Sequence, residues 1–188
     1  MRISGGSAKG RSLAKPKGDH VRPTSAKVRE AVFNIIRPHL EGAKFLDLCA
    51  GTGAMGMEAL SQGVAHAAFV DSDSRSARLI KDNLARLELE TSARIVTVGA
   101  LDFVKNFRGE PFDIVYFDPP YAMEELEQII MLIGEKGVLK SGGALLVEHA
   151  SKRPLADEMG RLGLKKSYRY GDTSLSYYIR IEEGETDA

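Results

Sequence analysis

Four consecutive residues, Asp118, Pro119, Pro120 and Tyr121, have the chemistry to bind an amine on an aromatic ring. Proline fixes φ and lacks an N–H group, so the two prolines stiffen the segment and leave carbonyl oxygens as acceptors. The Asp118 carboxylate and the Pro119 carbonyl could accept the two protons of one exocyclic amine, and a base could stack on Tyr121. These hydrogen bonds would favour the bent geometry in which the amine lone pair can attack. Taken alone, the motif is also compatible with a proline-rich turn that binds nothing.

A glycine-rich segment lies earlier in the chain, where Gly51, Gly53 and Gly56 follow an apolar run and Asp71 comes 20 positions after Gly51. Glycine lets the backbone turn tightly and lets a ligand approach it closely. A carboxylate at the end of the next strand can accept both hydroxyls of a ribose. The pattern therefore predicts a site for an adenosine-bearing cofactor. The expected cofactor contacts are Asp47, Ala50, Gly51, Thr52, Gly53, Gly56, Asp71, Ser72, Ala100 and Leu101.

Asp47 separates the candidate cofactors, because it lies four residues before the first glycine. A carboxylate there suits the ammonium and sulfonium of S-adenosylmethionine, whereas it would repel the pyrophosphate of NAD. The glycines alone satisfy the dinucleotide fingerprint equally well. The sequence therefore favours S-adenosylmethionine over NAD.

The composition is that of an ordinary globular protein, since 43% of the 188 residues are hydrophobic and 28% are charged. Apolar runs fall short of the roughly 18 residues of a membrane helix, and the first residues lack the apolar core of a secretory signal. We expect a cytoplasmic protein. The single cysteine, Cys49, excludes an internal disulfide, and the histidines are too scattered for a local metal motif. Cys49 is expected to be a buried residue of the first strand, and no metal is expected.

Charge is distributed unevenly, although the net charge is +0. Residues 1–37 carry nine Lys or Arg against two acidic residues, so this segment is +7 and the remainder is −7. A basic, glycine-rich arm suits a phosphate surface, because phosphate neutralisation releases counterions. A solubilising tail is the alternative. The candidate RNA contacts are Lys9, Arg11, Arg22 and Lys27.

Short apolar runs alternate with amphipathic ones along most of the chain. Apolar residues at helical spacing predict helices over 26–37 and near 54–62, 74–87, 101–107, 123–135 and 152–162. Strands are predicted at 44–49, 67–71, 93–98, 112–117, 144–149, 164–170 and 174–181. The alternation predicts a Rossmann-like α/β fold: a mostly parallel, seven-stranded sheet with helices on both faces and a C-terminal antiparallel hairpin. We expect a basic arm at 1–24 and one catalytic domain at 25–184.

Together these motifs resemble class I S-adenosylmethionine-dependent methyltransferases, and more narrowly the RsmD family. That family methylates the N2 amine of one guanine in bacterial small-subunit ribosomal RNA. The resemblance runs over nearly the whole chain, and its quoted segments are RISGGSAKGRSL, RPTSAKVREAVFNII, FLDLCAGTGAMGMEALSQG, FDIVYFDPPY and GDTSLSYYIR. The front segments are typical of this family, whereas the DPPY motif also occurs in DNA adenine-N6 methyltransferases.

The resemblance implies a role for each matching residue. Cofactor contacts are implied at Asp47, Gly51, Gly53 and Asp71, amine contacts at Asp118 and Pro119, stacking at Tyr121, and RNA contacts around Arg11 and Arg22. Two positions depart from the family pattern. Asp71 stands where Glu is frequent, and Gly99-Ala100 replaces an Asp-Ala pair, so adenine recognition is expected at the backbone near Ala100 and Leu101.

Four functional hypotheses remain at the level of the sequence. The first is a methyltransferase acting on guanine N2 of ribosomal RNA, within a partly or fully assembled small subunit. An adenine-N6 methyltransferase is the nearest rival, although few residues are left for a target-recognition region. An NAD-dependent oxidoreductase leaves Asp47 and Asp118 without a role, and a binding module with a vestigial cofactor site does not explain the intact motifs. The lack of a long exposed apolar segment favours a monomer.

Overall fold

The computed structural model describes residues 1–15 and 26–181. Its helices are α1 (Ala26–Ile36), α2 (Ala54–Ser61), α3 (Ser74–Leu87), α4 (Ala100–Lys105) and α5 (Leu126–Glu135). Its strands are β1 (Lys44–Leu48), β2 (His66–Asp71), β3 (Ala93–Thr97), β4 (Phe112–Phe117), β5 (Leu139–Ala150), β6 (Glu158–Met159), β7 (Leu162–Tyr170) and β8 (Thr173–Arg180). In this described part, no helix is long and apolar enough to span a membrane.

All these strands form one sheet in the order β3-β2-β1-β4-β5-β8-β7-β6. Neighbours from β3 to β5 run parallel, and β8, β7 and β6 join the sheet antiparallel. The order reverses direction between β1 and β4, which is the place where open α/β sheets bind their ligands. The predicted fold class is confirmed, with the two-residue β6 as an eighth strand.

The helices cover both faces of the sheet, because alternate residues of each buried strand point to opposite sides. On one face, Phe45 of β1 and Phe69 of β2 lie in a core with apolar residues of α1, α2 and α3. On the other face, Leu46 of β1 and Val70 of β2 lie in a second core with residues of α4 and α5. Continuous burial of this kind explains why the central strands read as unbroken apolar runs.

The helix predicted near 152–162 is wrong, because this stretch instead forms turns, the short strand β6 and the start of β7. Pro154 disfavours helical backbone at the residue before it. Gly160 has φ +60° and lets the chain reverse, so that Met159 pairs with Leu162. The helix-favouring residues between these two positions produced the wrong prediction.

Residues 1–15, the described part of the predicted arm, pack on the domain. Ile3, Ala8 and Leu13 are buried in the core beside α1 and α2. The buried Glu58 carboxylate on α2 accepts hydrogen bonds from the Ser4 and Gly5 amides, both at 2.8 Å. The division at 1–24 and 25–184 remains a prediction, and Arg22 lies outside the described residues.

Candidate active site

The loop after β1 turns sharply because several of its residues adopt left-handed backbone conformations. Cys49, Gly51 and Gly53 have φ of 66°, 54° and 72°. The Gly53 amide donates to the Ala50 carbonyl at 2.8 Å, and the Ala50 amide donates to Val70 of β2 at 2.9 Å. Glycine adopts this conformation without steric cost, so Gly51 and Gly53 favour the turn, whereas Cys49 adopts it against the usual preference of a residue with a Cβ. Cys49 was predicted to be a buried residue of the first strand, but β1 ends at Leu48 and Cys49 is only partly buried.

Asp71 connects this loop to the next one. One oxygen of its carboxylate accepts a hydrogen bond from the Gly51 amide at 2.8 Å, and the other accepts one from the Asp73 amide at 2.9 Å. The Val98 amide after β3 donates to the Asp71 carbonyl at 3.0 Å. The loops after β1, β2 and β3 therefore meet at one place, which we call the carboxyl edge because each follows the carboxyl end of its strand.

Asp47 lies beneath the glycine loop and is only 2% exposed. One carboxylate oxygen accepts the Gly56 amide in the first turn of α2 at 2.9 Å. Burial raises the pKa of Asp47 to about 8, the Gly56 hydrogen bond opposes this increase, and the nearby Asp118 and Asp71 carboxylates add to it. Carboxylates from β1, β2 and β4 thus converge, and this arrangement favours a cationic ligand over a phosphate.

Gly56 is fixed by packing as well as by its hydrogen bond. A Cβ at this position would lie 2.3 Å from Cε1 of Phe69 on β2. The first turn of α2 can therefore approach the sheet closely, and its amide reaches Asp47.

Burial raises the pKa of the Cys49 thiol to about 12, and the carboxylates of Asp71, Asp118 and Asp47 contribute further. A thiol with this pKa stays protonated near neutral pH and is a poor nucleophile. The structure thus supports the expectation that Cys49 is not a catalytic thiol.

The segment from Asp118 to Tyr121 leaves β4 beside the glycine loop. The Asp118 amide donates to the Leu48 carbonyl at the end of β1 at 3.3 Å, and the Met123 amide donates to the Pro120 carbonyl at 2.9 Å. The Tyr121 hydroxyl lies 2.5 Å from Oγ1 of Thr173 at the start of β8. The Tyr121 ring is therefore held at its hydroxyl by Thr173. Because Tyr121 is 40% exposed, a ligand can contact this ring.

Glu148 and Tyr116, which the sequence analysis did not select, lie beside this segment. Phe117 and Val147 pair in register, so Asp118 and Glu148 follow at the same level of adjacent strands. Glu148 is buried and accepts a hydrogen bond from the Tyr116 hydroxyl at 2.8 Å. The sequence contained a signal for Glu148, because this acidic residue lies near the end of β5 just as Asp71 lies at the end of β2. The hydrogen bond between Glu148 and Tyr116, however, depends on the order of the strands in the sheet.

His149 follows Glu148 and has a structural role. Nε2 lies 2.9 Å from the Ser176 hydroxyl, and Nδ1 lies 2.9 Å from the Arg153 carbonyl. Burial lowers its pKa, so the neutral ring is favoured. The imidazole joins β5, β8 and the loop that follows β5.

The structure brings the predicted cofactor and amine residues together at the carboxyl edge, where Ala100 and Leu101 begin α4 and Ser72 is exposed in the β2 loop. The predicted RNA contacts are dispersed. Arg11 donates to the Arg86 and Leu87 carbonyls at the far end of α3, about 20 Å from the carboxyl edge at 1.5 Å per residue. Lys9 is exposed, and Lys27 lies at the start of α1.

Comparison with known proteins places these features in a family. Residues 1–179 match the family model described as "Conserved hypothetical protein 95". The chain is 35% identical to the ribosomal RNA small subunit methyltransferase D of Escherichia coli (strain K12), over 100% of this chain and 94% of that protein. It is 37% identical to YlbH of Bacillus subtilis (strain 168), over 95% and 98% of the two chains. The solved structure of yhhF from Escherichia coli has a TM-score of 0.88 and 34% identity, covering 97% of this chain and 99% of that one.

Proposed function

The chain belongs to the conserved hypothetical protein 95 family, and from that premise we propose that it methylates the exocyclic N2 amine of a guanine in small-subunit (16S) ribosomal RNA. The methyl donor is S-adenosylmethionine. The relative from Escherichia coli is named a ribosomal RNA small subunit methyltransferase and matches over the whole chain. The enzyme is therefore a methyltransferase of ribosomal RNA.

One observation carries the assignment: the Asp118 amide donates to the Leu48 carbonyl where β4 and β1 end side by side. This contact supports a common site for the cofactor loop and the amine-binding segment. A methyl donor and an acceptor amine need this proximity, because positioning supplies much of the catalysis of group transfer.

The residues present fit S-adenosylmethionine. Its sulfonium would supply an electrophilic methyl group, and its positive charges suit the convergent carboxylates around Asp47. The Asp71 carboxylate lies next to the glycine loop, where its oxygens can accept hydrogen bonds from both hydroxyls of a ribose. The same acidic surroundings disfavour the pyrophosphate of a dinucleotide.

The amine-binding residues act by orientation. The Asp118 carboxylate and the Pro119 carbonyl accept hydrogen bonds from the two N–H groups of the target amine, which turns its lone pair away from conjugation with the ring. The Tyr121 ring supports the base, and the Thr173 contact holds this ring in place. A guanine in a helix must leave the base stack to reach these groups.

The substrate also determines the expected setting of the protein. Small-subunit particles form in the bacterial cytoplasm, and a basic N-terminal segment suits their phosphate surface. We therefore infer a cytoplasmic protein that acts on the assembling or assembled subunit. We further expect a monomer, which sedimentation analysis would test against the chain mass of 20.5 kDa.

The test of function is product identification. Purified protein is incubated with labelled S-adenosylmethionine and small subunits from cells that lack the gene, and the RNA is digested to nucleosides. N2-methylguanosine at one site is expected. Labelled N6-methyladenosine would transfer the assignment to the adenine-N6 enzymes, and the absence of label, together with NAD binding, would reject a methyltransferase.

A further inference from the structure

One face of the hairpin formed by β7 and β8 combines aromatic rings with lysines. Lys166, Tyr168 and Tyr170 occupy alternate positions of β7, so their side chains share a face of the sheet. Tyr177 of β8 lies opposite Lys166 in register, and Lys27 reaches this face from α1. We call Lys27, Lys166, Tyr168, Tyr170 and Tyr177 the hairpin platform.

The lysines of the hairpin platform lie over its rings. Nζ of Lys27 is 5.8 Å from the ring centroid of Tyr170, and Nζ of Lys166 is 5.0 Å from that of Tyr168. Both lysines are exposed, whereas the tyrosines are partly buried and pack against the core that contains α1. All three rings are thus supported from below, and those of Tyr168 and Tyr170 are each accompanied by an ammonium group. Such exposed cation–π contacts are weak enough for a ligand to displace them.

The platform tyrosines are neighbours on one face of the hairpin. Tyr170 lies two residues beyond Tyr168 on β7, and Tyr177 lies diagonally across from Tyr168, because Tyr168 pairs in register with Leu175 of β8. Partial burial raises the pKa of Tyr170 and of Tyr177, and the nearby Tyr168 adds to both increases. Tyr168 is therefore the neighbour that the other two tyrosines share.

The hairpin platform lies next to the candidate active site. The Thr173 hydroxyl contacts the Tyr121 hydroxyl, and Thr173 pairs in register with Tyr170. Thr173 itself is buried, so Tyr121 and Tyr170 are the more exposed residues on either side of it. A strand of nucleotides with its target base on Tyr121 would therefore have Tyr170 as a neighbouring aromatic ring.

Charge identifies the class of ligand. Within residues 162–180 there are four basic residues, Lys165, Lys166, Arg169 and Arg180, against one acidic residue, Asp172. Of these, Lys166 lies on the face of the hairpin platform, whereas Arg169 alternates with the tyrosines and lies on the opposite face. On α1, exposed Glu30 is an acidic neighbour of the Lys27 segment. The cofactor loop is surrounded by carboxylates, whereas the hairpin is positive and suits an anion. Rings beside ammonium groups are the pattern with which proteins hold single-stranded nucleic acid.

We propose that the hairpin platform binds single-stranded RNA beside the target guanine, with bases stacked on Tyr168 and Tyr170 and phosphates against Lys27 and Lys166. The inference rests on the proposed function and adds to it a second RNA surface, separate from residues 1–15. Stacking accepts every base, so the platform contributes affinity and register, and the choice of guanine stays with the pocket around Asp118.

The test compares variants on small subunits from cells that lack the gene. Tyr168→Leu with Tyr170→Leu removes the rings and keeps apolar bulk, and we expect KM for the subunit to rise about tenfold or more, given the usual contribution of a stacked base. The value of kcat at saturation and the affinity for S-adenosylmethionine should stay within about twofold. Tyr168→Phe with Tyr170→Phe should restore KM. Thermal melting of each variant shows whether it is folded.

Lysine variants provide a second measurement that does not depend on core packing. Lys27→Gln with Lys166→Gln should weaken binding of a single-stranded oligoribonucleotide and flatten its salt dependence, because fewer counterions are released. The control is Lys81→Gln with Lys105→Gln, which changes two exposed lysines on α3 and α4. It should leave the salt dependence unchanged.

The outcomes separate this inference from the proposed function. If the wild-type protein gives no methylated guanosine, the proposed function fails. If it does, and the leucine and glutamine variants keep wild-type KM and salt slope, the platform is overturned while the function stands. A raised KM on subunits with unchanged oligoribonucleotide binding would mean that the platform contacts ribosomal protein, which also overturns RNA binding.

Discussion

At the scale of single residues, Asp47 makes the cofactor site sensitive to pH. Its folded pKa of about 8 lies above the ordinary value of 3.8 because the carboxyl is buried. The cofactor-free protein therefore holds a proton there at neutral pH, and a cationic ligand favours the ionised form. Binding of S-adenosylmethionine should release this proton, and affinity should rise with pH from about 6 to about 8.

Titration calorimetry in two buffers of different ionisation enthalpy counts the protons released. Asp47→Asn is the matched control, because it keeps the size of the side chain and removes its titration. Any pH dependence of binding that remains in this variant arises from the titration of the ligand. Equal proton release by both proteins would contradict the role of Asp47.

Asp118 should affect the rate of transfer far more than the cofactor affinity. Asp118→Ala removes the carboxylate that orients the target amine, and loss of one positioned catalytic group typically costs about 10²-fold or more. Affinity for S-adenosylmethionine should remain within about tenfold, since the cofactor contacts lie on other strands. Single-turnover kinetics with calorimetry measures the two quantities separately.

Asp82→Ala, an exposed aspartate on α3, is the control for the Asp118 experiment. It should retain the wild-type rate. An Asp118 variant that transferred methyl groups at this same rate would eliminate the orienting role.

Some site residues could be predicted from the sequence and others could not. Asp118 and Gly51 belong to local motifs, in which the chemistry lies within a few residues. Glu148 and Tyr116 are 32 residues apart and meet only because β5 lies beside β4. Contacts of this second kind depend on strand order, which spacing in one sequence does not specify.

At the scale of elements, Glu58 of α2 attaches the N-terminal segment to the domain. Its fully buried carboxylate accepts hydrogen bonds from the Ser4 hydroxyl at 2.8 Å and from the Ser4 and Gly5 amides. The same carboxylate lies 3.7 Å from Nε of Arg29 on α1. Removing one partner of a buried ion pair leaves the other charge uncompensated and typically costs about 3–5 kcal/mol. Glu58→Ala should therefore lower the free energy of unfolding by several times RT.

The same substitution should release residues 1–15 before the sheet unfolds. Trypsin should cut at Lys9 and Arg11 faster in Glu58→Ala than in the wild type, and urea unfolding measures the change in stability. Glu135→Ala, an exposed position on α5, should leave both unchanged. Equal cleavage of Glu58→Ala and wild type would show that the apolar contacts of Ile3 and Leu13 suffice.

Elements were predictable where one physical signal dominated. β2, α3 and β4 combine a clear apolar period with polar ends, and the predicted bounds of α3 and β4 match the structure. At 152–162 helix propensity opposed the turn signals of Pro154 and Gly160, and tertiary pairing with β7 decided the outcome. Propensity is a weak prior that such pairing routinely overrides.

At the scale of the whole molecule, a chain of net charge +0 carries +7 in residues 1–37 and −7 elsewhere. Carboxylates converge at the cofactor site, where the expected ligand is cationic, and basic residues lie in the N-terminal segment and on the hairpin. The molecule thus separates the surfaces for a cation and for a polyanion. The net charge alone predicts neither the surface for a cation nor the surface for a polyanion.

This separation predicts how subunit binding depends on salt. Lys9 is exposed, whereas the Arg11 guanidinium is engaged with the end of α3, so Lys9 is the better variant of these two. It is combined with Arg22, another of the RNA contacts predicted from the sequence. Lys9→Gln with Arg22→Gln should reduce the slope of log K against log salt by about 1.5, since each lost phosphate contact removes about 0.7–0.9. Binding is measured by filter retention at several salt concentrations, with Lys81→Gln and Lys105→Gln as the charge-matched control. If all three proteins share one slope, Lys9 and Arg22 make no phosphate contact, and other basic residues, such as those of the hairpin platform, must supply the electrostatic part of the affinity.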